Sequence, residues 1–414
     1  MKNFKDSGIE WLGEIPEHWK LIKCKNFFVL KSIPIGDLWN KTKLLSLTLN
    51  GVIERDINNP EGKFPSDFST YQIVKEGDLI FCLFDVAETP RTIGLSKLNG
   101  MITSAYTIFE IKNQEKRFLE YFFIDLDNRK NLKFLYRGLR NTISKEDLLN
   151  LKIPLPPLKE QEQIANFLDE KCEQIKNFIE KKEKLITLLK EQKQAFINKA
   201  TTKGLDKNVN FKDSGIEWLG EIPEHWKLIK CKNFFVLKSI PIGDLWNKTK
   251  LLSLTLNGVI ERDINNPEGK FPSDFSTYQI VKEGDLIFCL FDVAETPRTI
   301  GLSKLNGMIT SAYTIFEIKN QEKRFLEYFF IDLDNRKNLK FLYRGLRNTI
   351  SKEDLLNLKI PLPPLKEQEQ IANFLDEKCK KIDLLIEKTE KQIKLIKEYK
   401  TTLINQAVCG RINN

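Results

Sequence analysis

The residues from Asn3 to Cys172 recur without a single change from Asn210 to Cys379, a displacement of 207 positions in a chain of 414. Such a chain folds as one module built twice, so any account of one copy is an account of both. Its length suits two domains with connecting elements and exceeds what one ordinary core accommodates.

After the identical blocks the copies diverge but keep one pattern. Leu168, Cys172, Ile175, Ile179, Lys182, Ile186, Leu189, Lys193, Phe196 and Ala200 are separated by alternating steps of four and three. That spacing lays them along one seam of a coiled-coil helix. The second tail repeats it with Leu375, Cys379, Ile382, Ile386, Thr389, Ile393, Ile396, Lys400, Leu403 and Ala407. Each run starts after a Pro-Leu-Pro-Pro stretch (154–157 and 361–364), and the first stops near Gly204, a good C-terminal stop.

From Leu158 to Ala200, at about 1.5 Å per residue, each helix is roughly 60 Å long. Parallel helices would require the chain to travel back along most of that length. The residues from Thr201 to Lys212 reach at most about 40 Å when extended. The spacing therefore favours antiparallel helices with one globular head at each end.

Each head mixes signals. Thr70–Phe84 (TYQIVKEGDLIFCLF) and Ser104–Ile111 (SAYTIFEI) read as strands, Phe118–Leu135 (FLEYFFIDLDNRKNLKFL) reads as a helix, and turn clusters such as Ile57–Asp67 separate them. The fold class is α+β: two α+β heads joined by two long antiparallel coiled-coil helices. The boundaries are a head at 1–153, a helix at 154–204, a linker at 205–216, a second head at 217–360 and a second helix at 361–414.

The chemistry excluded is as informative. The seven cysteines (Cys24, Cys82, Cys172, Cys231, Cys289, Cys379, Cys409) form no C-x-x-C pair, and His18 and His225 are the only histidines. A zinc site, a disulfide framework and a Ser-His-Asp hydrolase on each half are not expected. No G-x-x-x-x-G-K-[ST] phosphate loop occurs, and no Asn/Asp-Pro-Pro-aromatic element marks an amino-methyltransferase. Asp56, Glu61 and Lys63 resemble a metal-assisted nuclease set but lie in a turn-rich stretch where such charges are ordinary. The start lacks an apolar leader core and no run approaches a membrane span, so the expectation is a soluble, cytoplasmic chain.

A net charge of +9, from 66 Lys+Arg against 57 Asp+Glu, permits a polyanionic partner. Three turn-rich segments carry side chains of the kind that reach phosphates and base edges. They are Trp39, Asn40, Lys41 and Lys43; Arg91, Lys97 and Asn99; and Arg137, Arg140, Asn141 and Lys145. Their copies are Trp246, Asn247, Lys248 and Lys250; Arg298, Lys304 and Asn306; and Arg344, Arg347, Asn348 and Lys352.

DSGIEWLGEIPEHWK (Asp6–Lys20, Asp213–Lys227), DLLNLKIPLPPLKEQEQIANFLDEK (Asp147–Lys171, Asp354–Lys378) and the closing EKTEKQIKLIKEYKTTLINQAVCGRI (Glu387–Ile412) resemble the specificity subunits of type I restriction-modification systems. The resemblance covers nearly the whole chain. It implies that the heads are target recognition domains reading a split double-stranded DNA site. It also implies that the helices act as a ruler and dock methyltransferase subunits, two being expected, with restriction subunits as further partners. S-adenosylmethionine and ATP would then bind partner subunits, leaving this chain without a cofactor or catalysis of its own. Family heads usually differ from each other. These are identical, which implies an inverted-repeat target. The alternative is a coiled-coil scaffold joining two identical protein-binding heads.

Overall fold

The computed structural model describes residues 3–57, 67–136, 141–263, 274–293, 295–344 and 348–412. Its helices are α1 (Lys116–Asn128), α2 (Lys145–Asn150), α3 (Leu158–Lys203), α4 (Lys323–Asn335), α5 (Lys352–Asn357) and α6 (Leu365–Val408). The chain divides into two compact units, one of residues 1–183 with 390–414 and the other of residues 184–389.

In the first unit the head is built on two four-stranded sheets. One is antiparallel, in the order Phe28–Lys31, Thr107–Ile111, Leu79–Phe81, Ile93–Leu95. The other runs Gly51–Arg55, Leu44–Thr48, Gly100–Ile102, Gln72–Val74, with the middle pair parallel. Side chains alternate across a strand, so neighbouring residues enter different clusters. Ile80 and Ile108 meet Leu45, Val74 and Ile102 from the other sheet. Their neighbours Leu79, Phe81 and Phe109 face α1, where Phe118, Phe122 and Phe123 complete the main core. On the far side of the second sheet, Leu44 and Met101 pack with Ile35 and Phe68.

The stretch read as strand over 70–84 holds two short strands, Gln72–Val74 and Leu79–Phe81, and that over 104–111 holds Thr107–Ile111. The helix read over 118–135 ends at Asn128, because Lys130 takes a left-handed backbone (φ 52°) and Asn131–Leu135 continues as a 3-10 turn. Ser144 caps α2, its hydroxyl accepting the Asp147 N–H at 2.9 Å. The strand Lys152–Leu155 then pairs with Lys20–Lys23 and delivers the chain to α3. Gln161, 1% exposed, fixes that junction: its Oε1 accepts from Glu115 N–H at 3.0 Å, and its Nε2 donates to Gln114 Oε1 at 2.7 Å and to the Pro156 carbonyl at 2.9 Å.

α3 continues to Lys203 and stops before Gly204, which sits at φ 74° as a C-terminal stop requires. Its seam residues are buried or half-buried along its length, as are those of α6, whereas flanking residues such as Glu173, Gln174 and Lys176 are exposed. Within each unit the segments of α3 and α6 run antiparallel. In the first, Ile175 and Ile179 pack in one cluster with Ile396 and Leu403. In the second, Lys193 Nζ meets the Asp383 carboxylate at 2.7 Å and Phe196 lies 6.3 Å from Phe374.

The second unit holds the same head: the strand order is Phe235–Lys238, Thr314–Ile318, Asp285–Phe288, Ile300–Leu302 in one sheet and Gly258–Arg262, Leu251–Thr255, Gly307–Ile309, Gln279–Val281 in the other. Two boundaries differ from the sequence reading. The stretch 205–216, read as linker, contains the strand Phe211–Asp213, which pairs with Glu221–Pro223 and so belongs to the second head. The long helices are also not separate domains: each is shared, its first part packing under its own head and its last part completing the other unit.

Candidate nucleic-acid interface

The parallel pairing of Leu44 with Met101 brings together the N-terminal ends of two strands, and with them two of the three candidate segments. Met101 N–H donates to the Lys43 carbonyl at 2.8 Å. The end of the sheet where its two central strands start therefore carries the 3-10 turn Gly36–Lys41, Lys43, Lys97 and Asn99. Asn40, Lys41 and Lys97 are exposed there. Lys43 is exposed and paired with Glu54 at 2.7 Å, a surface ion pair that a phosphate can replace at little cost. Asn99 is held by its own side chain: Oδ1 accepts Glu76 N–H at 2.9 Å, which leaves the amide NH₂ outward.

Trp39 points the other way. Its ring lies 5.5 Å from Phe68 and covers the outer apolar cluster, which makes it core in this head and, as Trp246 on Phe275, in the other. Arg91 also turns inward, its Nη1 meeting Asp127 Oδ2 at 3.1 Å and Asn128 Oδ1 at 3.3 Å. Arg298 does the same with Asp334 at 3.5 Å and Asn335 at 3.2 Å. Buried carboxylates occupy both guanidinium groups, so these arginines serve the heads' interiors.

The third segment joins a different strand end. Asp85 N–H donates to the Asn141 carbonyl at 3.0 Å, Phe84 bridges Thr142, and Asn141 has a left-handed backbone (φ 47°). Lys145 is exposed at the start of α2. Arg137, Arg140 and Arg347 lie outside the described residues. Arg344, in the other head, is three-quarters exposed and paired with Asp354. Asn247, Lys248, Lys304, Asn348 and Lys352 are exposed like their counterparts, Lys250 pairs with Glu261 at 2.7 Å, and Asn306 accepts from Glu283 N–H at 2.9 Å.

Two features escape a reading based on charge. Phe84, 39% exposed, lies beside Asn141–Thr142 and stacks on Tyr106 with centroids 6.5 Å apart and planes 10° apart. Burial raises the Tyr106 pKa, so its hydroxyl stays neutral. Leu38 and Leu49 are the other exceptions, each at least 60% exposed, one in the turn that carries Asn40 and Lys41 and one beyond the strand Leu44–Thr48. Apolar side chains beside cations and amides suit thymine methyl groups and base faces. The only sequence signal was a break in the apolar alternation at Thr-Leu-Asn-Gly.

Among the described residues no group of three His, Cys, Asp or Glu side chains could hold a metal ion. Glu61 and Lys63, from the nuclease-like set, lie outside those residues. A cleft of about 270 Å³ at the junction of the first head with α3 is lined by His18, Lys20, Asn113, Gln114 and Gln161. Gln161 is already fully engaged there, and His18 Nε2 lies 2.7 Å from Glu160 Oε2. No described helix is long and apolar enough to cross a membrane.

The model of the type I restriction modification DNA specificity domain matches residues 91–199 and again 298–395. A type I restriction enzyme specificity subunit of Methanocaldococcus jannaschii, MjaVIII, is 31% identical over 363 residues, spanning 82% of this chain and 80% of its own. The chain belongs to the type I specificity family. A second relative from that organism, the putative MjaX specificity subunit, is 27% identical over 445 residues, covering 99% of this chain and 97% of the other.

Solved structures agree on the fold of this specificity chain. One, from work on complex assembly and conformational transition of the type I restriction-modification system, has a TM-score of 0.68 at 16% identity, covering 96% of this chain and 99% of that one. The HsdS subunit from Thermoanaerobacter tengcongensis has a TM-score of 0.53 at 16% identity, with coverage of 98% and 100%. At that identity the likeness concerns the fold alone. The matched family segments begin at Arg91 and Arg298 and run into the helices, so each match joins the later part of a head to the helix that follows it.

Proposed function

We propose that this specificity chain reads a bipartite DNA target, each head contacting one half-site, and that the target is an inverted repeat around an unread spacer. The observation that carries this reading is the residue-for-residue identity of the heads from Asn3 to Cys172 and Asn210 to Cys379. Identical surfaces select identical half-sites. Antiparallel helix segments in both units are the arrangement expected if the half-sites lie on opposite strands. Phosphate contacts from residues such as Lys41 and Lys97 would set the register, and the amides of Asn40 and Asn99 would reach base edges.

In this reading the chain is non-catalytic. Methyltransferase subunits, two being the expected number, dock on the helices and supply S-adenosylmethionine chemistry, and a restriction subunit supplies ATP-dependent cleavage. Support for docking comes from apolar side chains outside the seam: Phe178, Leu395 and Tyr399 in the first unit, and Leu185, Leu188, Leu384 and Leu385 in the second, are all exposed. Exposed apolar side chains of this kind are what a partner surface supplies.

The test is methylome sequencing of DNA from cells expressing this chain with and without its cognate methyltransferase subunit. A modified interrupted inverted repeat that appears only with both supports the proposal. An asymmetric motif refutes the symmetric target, and no motif despite complex formation favours the coiled-coil scaffold. Binding to direct repeats as tight as to inverted ones would also sink the symmetry.

A further inference from the structure

The two heads are identical, but the joints that hold them are not. In the second unit, Asp332 on α4 is fully buried and both carboxylate oxygens are engaged by α3. Gln194 Nε2 donates to Oδ1 at 2.6 Å and Asn198 Nδ2 donates to Oδ2 at 3.1 Å. Gln194 Oε1 in turn accepts from Asn335 Nδ2, so one glutamine bridges two residues at the end of α4. Arg336 pairs with Asp332 as well, although its buried Nε has no hydrogen-bond partner among the described residues.

In the first unit the same carboxylate, Asp125 on α1, meets the end of α6. Asn405 Nδ2 donates to its Oδ2 at 3.1 Å and Arg129 pairs with it, as their counterparts do. Thr401 occupies the place of Gln194. Its hydroxyl donates to the Lys397 carbonyl of its own helix at 3.3 Å and does not reach the head. Asp125 Oδ1 is buried with no hydrogen-bond partner among the described residues. Arg411 offers Asp125 electrostatic support, but its Nη2 is directed to the Leu12 carbonyl at 3.4 Å. Among the hydrogen bonds to this carboxylate the joints differ at one position, Gln194 against Thr401, because Asn198 and Asn405, and Arg336 and Arg129, are matched pairs.

We infer that Gln194 is a positioning residue that locks the second head to α3, and that the first head, with Thr401 in that place, rides on a looser joint. Two readers of identical sequence thus present themselves to DNA with unequal stiffness. A carboxylate with one buried oxygen lacking a donor is less fully compensated, and the element carrying it opens more readily than its satisfied twin.

The test uses the full chain and moves the glutamine. Thr401→Gln raises the thermal midpoint of the first unit by about 2–4 °C, the shift for roughly one added hydrogen bond in a unit of this size. Gln194→Thr lowers that of the second by a similar amount, and the double exchange transfers the tight joint from one head to the other. The transition that moves in each variant identifies its unit. A second readout, which rests on the DNA-reading proposal, is affinity for inverted repeats whose spacer is one base pair longer or shorter than the optimum. Thr401→Gln deepens the penalty for those sites by about tenfold, equivalent to one well-made charge-assisted hydrogen bond, and Gln194→Thr relaxes it. If both variants leave the midpoints unchanged, or if spacer tolerance stays the same while midpoints shift, the positioning role is overturned. Failure of every form of the chain to bind DNA overturns the functional proposal instead, and the thermal comparison still decides the joint.

Discussion

Asp127 closes the end of α1 with its side chain almost wholly buried, and three donors converge on it: Arg91 Nη1 at 3.1 Å, Thr92 N–H at 3.1 Å and Lys130 Nζ at 3.0 Å. Arg91→Ala removes one charge from that set and should destabilise the first head by about 1–3 kcal/mol, read from denaturant unfolding. Lys97→Ala, at an exposed site, should leave stability within about 0.5 kcal/mol and weaken DNA binding instead. Opposite outcomes for the two cations would confirm that one is interior and the other interfacial. Glu120 gives the corresponding pH test. Burial raises its pKa, and the carboxyl accepts Leu95 N–H at 3.1 Å. The folded chain therefore holds this proton to higher pH than the unfolded chain. The stabilisation is complete below the ordinary glutamate range and is lost as pH rises through the raised folded value. Glu327 behaves alike, and Glu120→Gln with Glu327→Gln should flatten the fall in thermal midpoint between mildly acidic and neutral pH.

At the scale of elements, Gln161 and the seam bear the mechanical load. Gln161→Ala strands the Glu115 N–H and the Pro156 carbonyl and should cost at least about 2 kcal/mol, measured as a lower unfolding midpoint of the first unit. Ile175→Ala, at a buried seam position, should cost about 2–5 kcal/mol, and a loss below 1 would contradict the packing. The helices were legible because a four-three spacing survives change at most of the surrounding positions after Cys172 and Cys379, and the strands because Leu79–Phe81 and Thr107–Ile111 are apolar and β-rich. The left-handed Lys130 that ends α1 was not legible, since its sequence continues in helix-compatible residues. The site was half legible. Residue type singled out Lys41 and Asn99 correctly as surface groups, but nothing local distinguishes Lys97 from Arg91. That distinction is made by Asp127, thirty-six positions away in the chain.

For the molecule as a whole, the charge surplus makes a prediction independent of any single contact. If the heads bind DNA through phosphates, the logarithm of the association constant falls linearly with the logarithm of salt concentration, with a slope set by the number of phosphates neutralised. Replacing Lys41 and Lys248 together should reduce that slope by about two while leaving sequence preference unchanged. An unchanged slope would move the interface away from this end of the sheet.

The division into units also has a temporal side. The second unit is one uninterrupted stretch, 184–389, whereas the first takes residues 1–183 and 390–414. Leu403, Ile404, Ala407 and Val408 all belong to the first head's core cluster. A ribosome makes the first head early but cannot supply its last packing surface until the closing segment emerges, so the head begun first is finished second. This reverses the usual N-to-C order of domain completion. A nascent chain halted before position 390 would carry a closed second unit beside an open, apolar first one. Chaperones and proteases could distinguish that product from the finished chain by its uncovered surface alone.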